Sequence, residues 1–287
     1  IELCKTITPE NLARERIFDE WKKFITLGVK LSLGLKFLFE SGWIQYYPEL
    51  QALYGCEQDN IWHPEGDVWQ HLLLCCDAFA KERINNFYED LIVGLAVICH
   101  DFGKPLTTCI KDGRIRAPEH PLVGAKPTKK FLERLTNQTN LINEIIVLVE
   151  NHMAVEELAK FKDDNDFDAN VRKLAAKIKR IDRLIRVIKA DRGGVPNAKF
   201  TTAAEFEKLI ERSKELGVFD KAPAQIIKGR HLIQLGLKPD KSFAEILDKC
   251  YMAQLTGVFD NETDGIKFLT SVITNTKNAN IQHVKEE

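Results

Sequence analysis

Apolar residues recur at spacings of three and four along most of this chain, and that period admits α-helices and little else. Ile17, Trp21, Phe24 and Ile25 share one helical face after Thr8-Pro9-Glu10, where a capping hydroxyl and a first-turn proline predict a helix start. The same pattern predicts helices near 67–80, 88–100, 125–135, 138–152, 171–190, 202–216, 223–235, 242–255 and 262–274. Alternating β-branched runs bounded by turn residues are nearly absent, so the expected fold class is all-α. A chain of 287 residues can bury roughly 75% of its unfolded surface and needs no disulfide or metal to fold. The Pro/Gly/Asp-rich loop from Gly55 to Gly66 is the expected boundary between a first helical segment, 1–60, and a second block, 61–200, that runs to about Lys199; a helical tail occupies 201–287.

Charge excludes some functions. Lys and Arg total 41 against 42 Asp and Glu, for a formal net charge of −1, so no global field steers the chain to nucleic acid. Apolar runs such as Leu91 to Cys99 fall far short of the roughly 18 residues of a membrane span, and no leader pattern opens the chain. A cytoplasmic protein without a membrane partner is expected. Seven cysteines, Cys4, Cys56, Cys75, Cys76, Cys99, Cys109 and Cys250, include no C-x-x-C pair and read as reduced, mostly buried thiols.

Two acidic stretches invite metal readings and resist them. The segment 161–170 is expected to be an exposed loop; its Asp164/Asp166 and Asp166/Asp168 spacings could hold magnesium, but no phosphate-binding loop precedes them. Asp260, Glu262, Asp264 and Gly265 mimic the start of a calcium loop, yet Ser271 stands where a bidentate glutamate belongs, so a capped helix start is the better reading.

Five of the seven histidines, His63, His71, His100, His120 and His152, fall within 90 residues of the second block. His100 ends the apolar run 91–99 and is followed at once by Asp101. Imidazole and carboxylate donors suit a borderline divalent ion, and the lack of cysteine pairs argues against a closed structural zinc site. Singly, each histidine also has a structural reading. His152 follows Ile145, Leu148 and Val149 on one face, His120 sits between prolines in a loop, and His63 precedes Pro64.

The surroundings carry more. His63-Pro-Glu-Gly-Asp-Val-Trp-Gln-His71, His100-Asp-Phe-Gly-Lys-Pro105, Glu119-His120 with Val123-Gly124-Ala125, and Ala190-Asp191-Arg192-Gly193 resemble the HD-domain segment of bacterial tRNA nucleotidyltransferases, the CCA-adding enzymes. Gly42-Trp43 with Tyr47-Pro-Glu-Leu50 resembles that family's helical neck, and the run Gly229 to Pro239 with Gln254-Leu-Thr-Gly257 resembles its C-terminal body. The resemblance implies an HD phosphohydrolase helical core between N-terminal neck helices and a helical tail. The glycine-rich loop and paired aspartates of the family's catalytic head do not precede the neck, so this chain is not expected to add nucleotides by itself. Ile1 in place of methionine leaves an upstream segment conceivable.

By the same resemblance, His71, His100, Asp101 and Asp191 hold one divalent ion, with His120 and His152 available for a second. The ion could be Mn, Ni, Co, Mg, Fe or Zn. The implied chemistry is hydrolysis of 2',3'-cyclic phosphodiesters, 2'-nucleotides or other phosphates by a metal-activated water, with Asp101 bridging two ions. Lys104 is expected to neutralise phosphate, and either it or His120 to protonate the leaving ribose oxygen. The expected partner is a nucleotide or RNA 3'-terminal phosphate, tRNA included. The helix expected over 171–190 turns Val171, Leu174, Ala175, Ile178, Ile181, Ile185 and Ile188 inward and presents a basic stripe, including Arg183 and Arg186, that leads to Asp191 and Arg192 as a phosphate or RNA guide. Two rival functions remain open: a tRNA-binding, non-catalytic chain serving a separate nucleotidyltransferase head, and an HD phosphodiesterase for a signalling nucleotide.

Overall fold

The structure is a computed structural model that describes residues 2–9, 12–197 and 201–283. In chain order the helices are α1 (Arg14–Leu27), α2 (Leu31–Glu40), α3 (Pro48–Gln51), α4 (Val68–Lys81), α5 (Phe87–Cys99), α6 (Lys104–Thr107), α7 (His120–Val123), α8 (Ala125–Leu135) and α9 (Thr139–Val149). They continue as α10 (Ala154–Leu158), α11 (Asp164–Ile178), α12 (Ile181–Gly193), α13 (Ala203–Glu215), α14 (Gly229–Gln234), α15 (Ser242–Leu255) and α16 (Glu262–His283). One antiparallel hairpin, β1 (Cys109–Lys111) with β2 (Arg114–Arg116), pairs Ile110 with Ile115. The all-α expectation holds with that one short addition. No helix among the described residues is long and apolar enough to cross a membrane, and the seven cysteines are free thiols.

The chain divides into two compact units that the expected boundaries at 60 and 200 do not trace. One comprises Ile1–Glu157 with Ile181–Glu207, the other Leu158–Arg180 with Lys208–Glu287. The Gly55–Gly66 loop lies inside the first unit, and the Lys199 limit falls outside the described residues. Within the first unit α4, α5 and α12 pack together, α9 lies on α5, and α1 and α2 cover α5 and α4. α5 is buried from Asp90 to Cys99, which is why its sequence is apolar all round rather than on one stripe. Ile92, Leu95, Leu72, Phe131 and Ile145 are fully enclosed there. The second unit has its own core, in which Ile227, Leu232, Ile246, Cys250 and Leu269 meet.

Four expectations are corrected. α1 begins at Arg14 after Ala13, not at Thr8-Pro9-Glu10; Pro9 closes a separate turn by accepting from the Leu12 N–H at 3.0 Å, and Glu10 lies outside the described residues. Segment 164–170 is the first half of α11 rather than a loop: Asp163 caps it by accepting from the Asn165 and Asp166 N–H groups at 2.8 and 3.2 Å, and the acids of the first turn suit the helix dipole. Asp164 and Asp168 are further taken up by Lys208 and Arg212. The helix expected over 171–190 is two helices. Lys179 turns left-handed, at φ 63°, and ends α11 before α12 starts at Ile181. The expected apolar positions are buried, Leu174 partly, but they are shared between two units; the spacing from Ile178 to Ile181 continues the helical period across the break and hides it. Finally, the 223–235 helix shrinks to Gly229–Gln234, because the side chain of Gln254 binds Ile226 N–H and Ala224 C=O, and the Tyr251 hydroxyl donates to Pro223 C=O. By contrast, Asn261 caps α16 by accepting from the Asp264 N–H at 3.0 Å, the helix start expected of that acidic run.

Candidate metal centre

Asp67 starts α4 by accepting from the Gln70 N–H at 2.9 Å, and this fixes the rotation that turns His71 and, one turn on, Cys75 toward α5 and α12. The apolar α5 ends at His100 in the interior, and Asp101 follows in the next turn. α7 supplies His120, the turn after α9 supplies His152, and the last turn of α12 supplies Asp191. Gly103 lets α7 approach, since a Cβ there would stand 2.0 Å from His120 C=O.

The four histidines are wired alike. Nδ1 of His100 donates to Val97 C=O at 2.7 Å, that of His120 to Ala117 C=O at 2.8 Å, and that of His152 to Val149 C=O at 2.7 Å. His71 uses Glu65 for the same purpose, at 2.7 Å. A carbonyl or carboxylate can only accept, so each ring carries a proton on Nδ1 and turns Nε2 inward. Those nitrogens surround Asp101. Its Oδ2 lies 3.3 Å from His100 Nε2 and 3.9 Å from His71 Nε2, while Oδ1 lies 3.4 Å from His120 Nε2 and 4.0 Å from His152 Nε2. Asp191 Oδ1 stands 2.9 Å from His71 Nε2 and 3.7 Å from His100 Nε2. His120 and His152 face each other Nε2 to Nε2 at 3.1 Å.

Acceptors crowded against acceptors are unstable without something positive between them. His100 Nε2 and both Asp101 oxygens are buried with no hydrogen-bond partner, whereas buried polar atoms are ordinarily satisfied. Lys104 Nζ lies 2.7 Å from Asp101 Oδ2 outside hydrogen-bond geometry and donates to Gln58 Oε1 at 2.6 Å. The donor set, imidazole Nε2 and carboxylate oxygen, fits a divalent cation of the first transition row, and the two faces of Asp101 give it the geometry of a bridge. Three donor groups emerge among the described residues: His71 with Cys75, His100 and Asp191; Asp101 with His120 and His152; and His63 with Glu65 and His71.

Burial opposes a charge on His71 and His100, but Cys75, Asp191 and Glu65 beside His71 and the Asp101 and Asp191 carboxylates beside His100 raise both rings above the ordinary imidazole value, so the carboxylates draw positive charge into the cluster. Burial opposes the charge of Asp101, but His100 and Lys104 outweigh it and hold the carboxyl well below its usual range. Burial likewise opposes Asp191, and hydrogen bonding from His71 with the charge of His100 overcomes it. Burial and the neighbouring His120 push His152 down to about 3, so that ring is neutral at ordinary pH. For Glu65, burial works upward, and the bonds from His63 and His71 bring it down to about 2.

A cavity of about 400 Å³ opens onto this cluster, with Asp101, Lys104, His120, His152, Asp191 and Arg192 among its walls. Arg116 and His63 also line it. Arg183 and Arg186, expected as phosphate contacts, are elsewhere. Arg183 is a buried partner of Glu89 and Glu144, and Arg186 pairs with Asp90, so these charges hold α12 to α5 and α9 instead of guiding a ligand. Arg172 is likewise committed, donating to Leu255 C=O at 2.9 Å in the other unit's own packing. The basic stripe is therefore not a feature of the fold. Arg192 does reach the cavity, packs over Phe206 at 4.6 Å and donates to Thr202 Oγ1 at 2.8 Å. Sequence reasoning overlooked Glu65, Gln58 and Cys75. Glu65 lay inside the His63–His71 run, and an acid between two histidines of that motif was the available signal.

The all-α scaffold gathers a histidine, a His-Asp pair and a distant aspartate around unsatisfied buried donors, and is compatible with an HD helical core. No protein-family model matches the chain. It is similar to proteins named multifunctional CCA protein: 34% identical over 151 residues to that of Xylella fastidiosa strain M23, covering 51% of this chain and 34% of the relative. The protein of that name from Xanthomonas oryzae pv. oryzae is 28% identical over 252 residues, 86% of this chain and 57% of the relative. That of Shewanella denitrificans is 24% identical over 221 residues, 73% and 50%. The matched regions thus span between about a third and somewhat more than half of these relatives, and the resemblance read from the sequence motifs is to part of a multifunctional CCA protein.

Proposed function

We propose that the protein is a divalent-metal-dependent phosphohydrolase acting on nucleotide or RNA-terminal phosphates, 2',3'-cyclic ends foremost. The observation that carries the reading is the set of orphaned buried donors, His100 Nε2 and both oxygens of Asp101, of which Asp101 lines a cavity walled also by Lys104 and Arg192. His71, His100, Asp101 and Asp191 would hold one ion, and Asp101, His120 and His152 a second. A bound divalent ion supplies Lewis acidity toward phosphoryl oxygens and a nucleophile from water at neutral pH.

The chain's own groups do the rest. Lys104 Nζ, steered by Gln58 and Asp101, offsets phosphate charge and is placed to give a proton to the leaving ribose oxygen. His120 is suited to ligation rather than to donating that proton, because its Nε2 faces His152 and Asp101. Arg192 and Arg116 on the cavity wall favour an anionic substrate. Glu65 holds the tautomer of His71. An RNA 3' end, tRNA included, is consistent with relatives whose name refers to CCA.

The test is elemental analysis of protein purified without added metal, followed by hydrolysis of a 2',3'-cyclic nucleotide, 2'- and 3'-mononucleotides and a cyclic dinucleotide with Mn, Ni, Co and Mg. Turnover of the cyclic mononucleotide that disappears in His100→Ala and Asp101→Ala is expected. Preference for the cyclic dinucleotide would move the substrate to a signalling nucleotide, and no turnover with any metal would overturn the proposal. The alternative, a tRNA-binding chain serving a separate nucleotidyltransferase head, would be revealed by nucleotide addition restored on mixing with such a head.

A further inference from the structure

We propose that Cys75 is a thiolate ligand in the inner half of the metal centre, so that this half takes a borderline ion of the zinc or cobalt type in preference to magnesium. The inference rests on the metal reading given above and names the class of ion. Cys75 lies one turn after His71 on the same face of α4 and is wholly buried. Its Sγ stands 3.2 Å from His71 Nε2, and the sulfur, His71 Nε2, His100 Nε2 and an Asp191 carboxylate oxygen lie within 4.8 Å of one another.

Bonds of about 2.0–2.3 Å to one tetrahedral ion set neighbouring donors roughly 3.3–3.8 Å apart. Here His100 to Asp191, at 3.7 Å, falls in that range, while sulfur to His71 at 3.2 Å and His71 to Asp191 at 2.9 Å are closer than it. A thiol that merely filled space would need no such company. Its one backbone acceptor is Asp191 C=O, at 3.6 Å, an ordinary length for a sulfur donor and a bond to the same residue whose carboxylate belongs to the group. Two further observations point to a ligand. His100 Nε2 is buried in the same group without any partner. The backbone after Asp191 closes tightly on the sulfur, where a Cβ on Gly194 would come within 2.3 Å of Sγ.

The other half, Asp101 with His120 and His152, offers only nitrogen and oxygen. Thiolate selects softer ions than carboxylate does, so the halves differ in the metal each prefers. When the sulfur–metal bond forms, the thiol proton leaves to solvent and no electrons are exchanged.

Cobalt(II) is the probe, used on the full chain. The cobalt-loaded protein is expected to show a sulfur-to-cobalt charge-transfer band in the near ultraviolet beside its visible d–d bands. Cys75→Ser, with an unchanged circular dichroism spectrum, should lose the charge-transfer band, keep the d–d bands and bind zinc at least tenfold more weakly. Cys75→Ala should behave likewise, and Cys109→Ser, at an exposed position, should leave the spectrum as it was. Visible d–d bands without charge transfer in the unaltered protein, or an unchanged spectrum in Cys75→Ser, would overturn the assignment of Cys75 while leaving the metal reading intact. Failure of the unaltered protein to take up cobalt, zinc or manganese would overturn both.

Discussion

His231 in the second unit and His100 in the first are buried alike, at 2% and 1% exposure, and differ only in what their nitrogens meet. Nδ1 of His231 accepts from the Lys228 N–H at 3.1 Å and Nε2 lies 3.5 Å from the Glu262 carboxylate, so the ring completes the start of α14. His100 spends Nδ1 on Val97 and leaves Nε2 fully buried without a hydrogen bond, 3.3 Å from an Asp101 carboxylate whose oxygens are themselves unsatisfied. Burial therefore does not mark a functional histidine. An unmet nitrogen does, because a folded chain ordinarily satisfies each buried donor and acceptor unless a ligand completes the set.

The comparison breaks first at the ligands. His100→Ala and Asp101→Asn should each lower metal affinity by more than the roughly 10–100-fold that loss of an outer partner costs, read by chelator competition, while the fold is retained. Glu65→Gln comes next, since it keeps the shape but removes the charge that orients His71; a loss of about 10–100-fold in metal affinity with unchanged circular dichroism is expected, and equal affinity would remove Glu65 from the site. Gly103→Ala tests the approach of α7. Its Cβ would meet His120 C=O at 2.0 Å and Gly124 N at 2.8 Å, and overpacking of this kind costs roughly 1–3 kcal/mol, to be measured by urea unfolding together with metal content.

His231→Ala should cost on the order of 1–2 kcal/mol by stranding the Lys228 N–H and leave metal affinity untouched; a change in affinity would blur the contrast drawn above. The smallest effect concerns acid. Asp59 accepts from Arg114 Nε at 2.7 Å, and this bond holds its carboxyl below the ordinary value. A depressed folded-state pKa means that the tie of the β-hairpin is present above the unfolded value and is lost as pH falls through the folded one. Hairpin amides should thus lose hydrogen-exchange protection only below about pH 4, and Asp59→Asn should expose them at neutral pH.

Much of the fold was readable because its signals are local. α4, α5, α8 and α15 start and stop within a residue or so of their sequence expectations, and a cap such as Asp67 sits where an Asx residue precedes an apolar run. Where local signals conflicted with distant partners the reading failed. Asp163 to Asp168 have the composition of a loop, but capping and Arg212 make them a helix. Arg183 and Arg186 have the look of a solvated face, but Glu89, Asp90 and Glu144, on other helices, claim them.

The sequence by itself determined the helical class and the spacing of the apolar faces, since period and spacing are properties of neighbouring residues, and it was the resemblance of their surroundings to a known family that singled out His71, His100, Asp101, His120, His152 and Asp191 as candidates. Only the tertiary structure decided which ring nitrogens stay open, that Glu65 anchors His71 and that Cys75 joins the cluster. His71 and Asp191 are 120 positions apart, yet 2.9 Å separates their atoms. A helical period says which face turns inward, and packing alone says what that face meets.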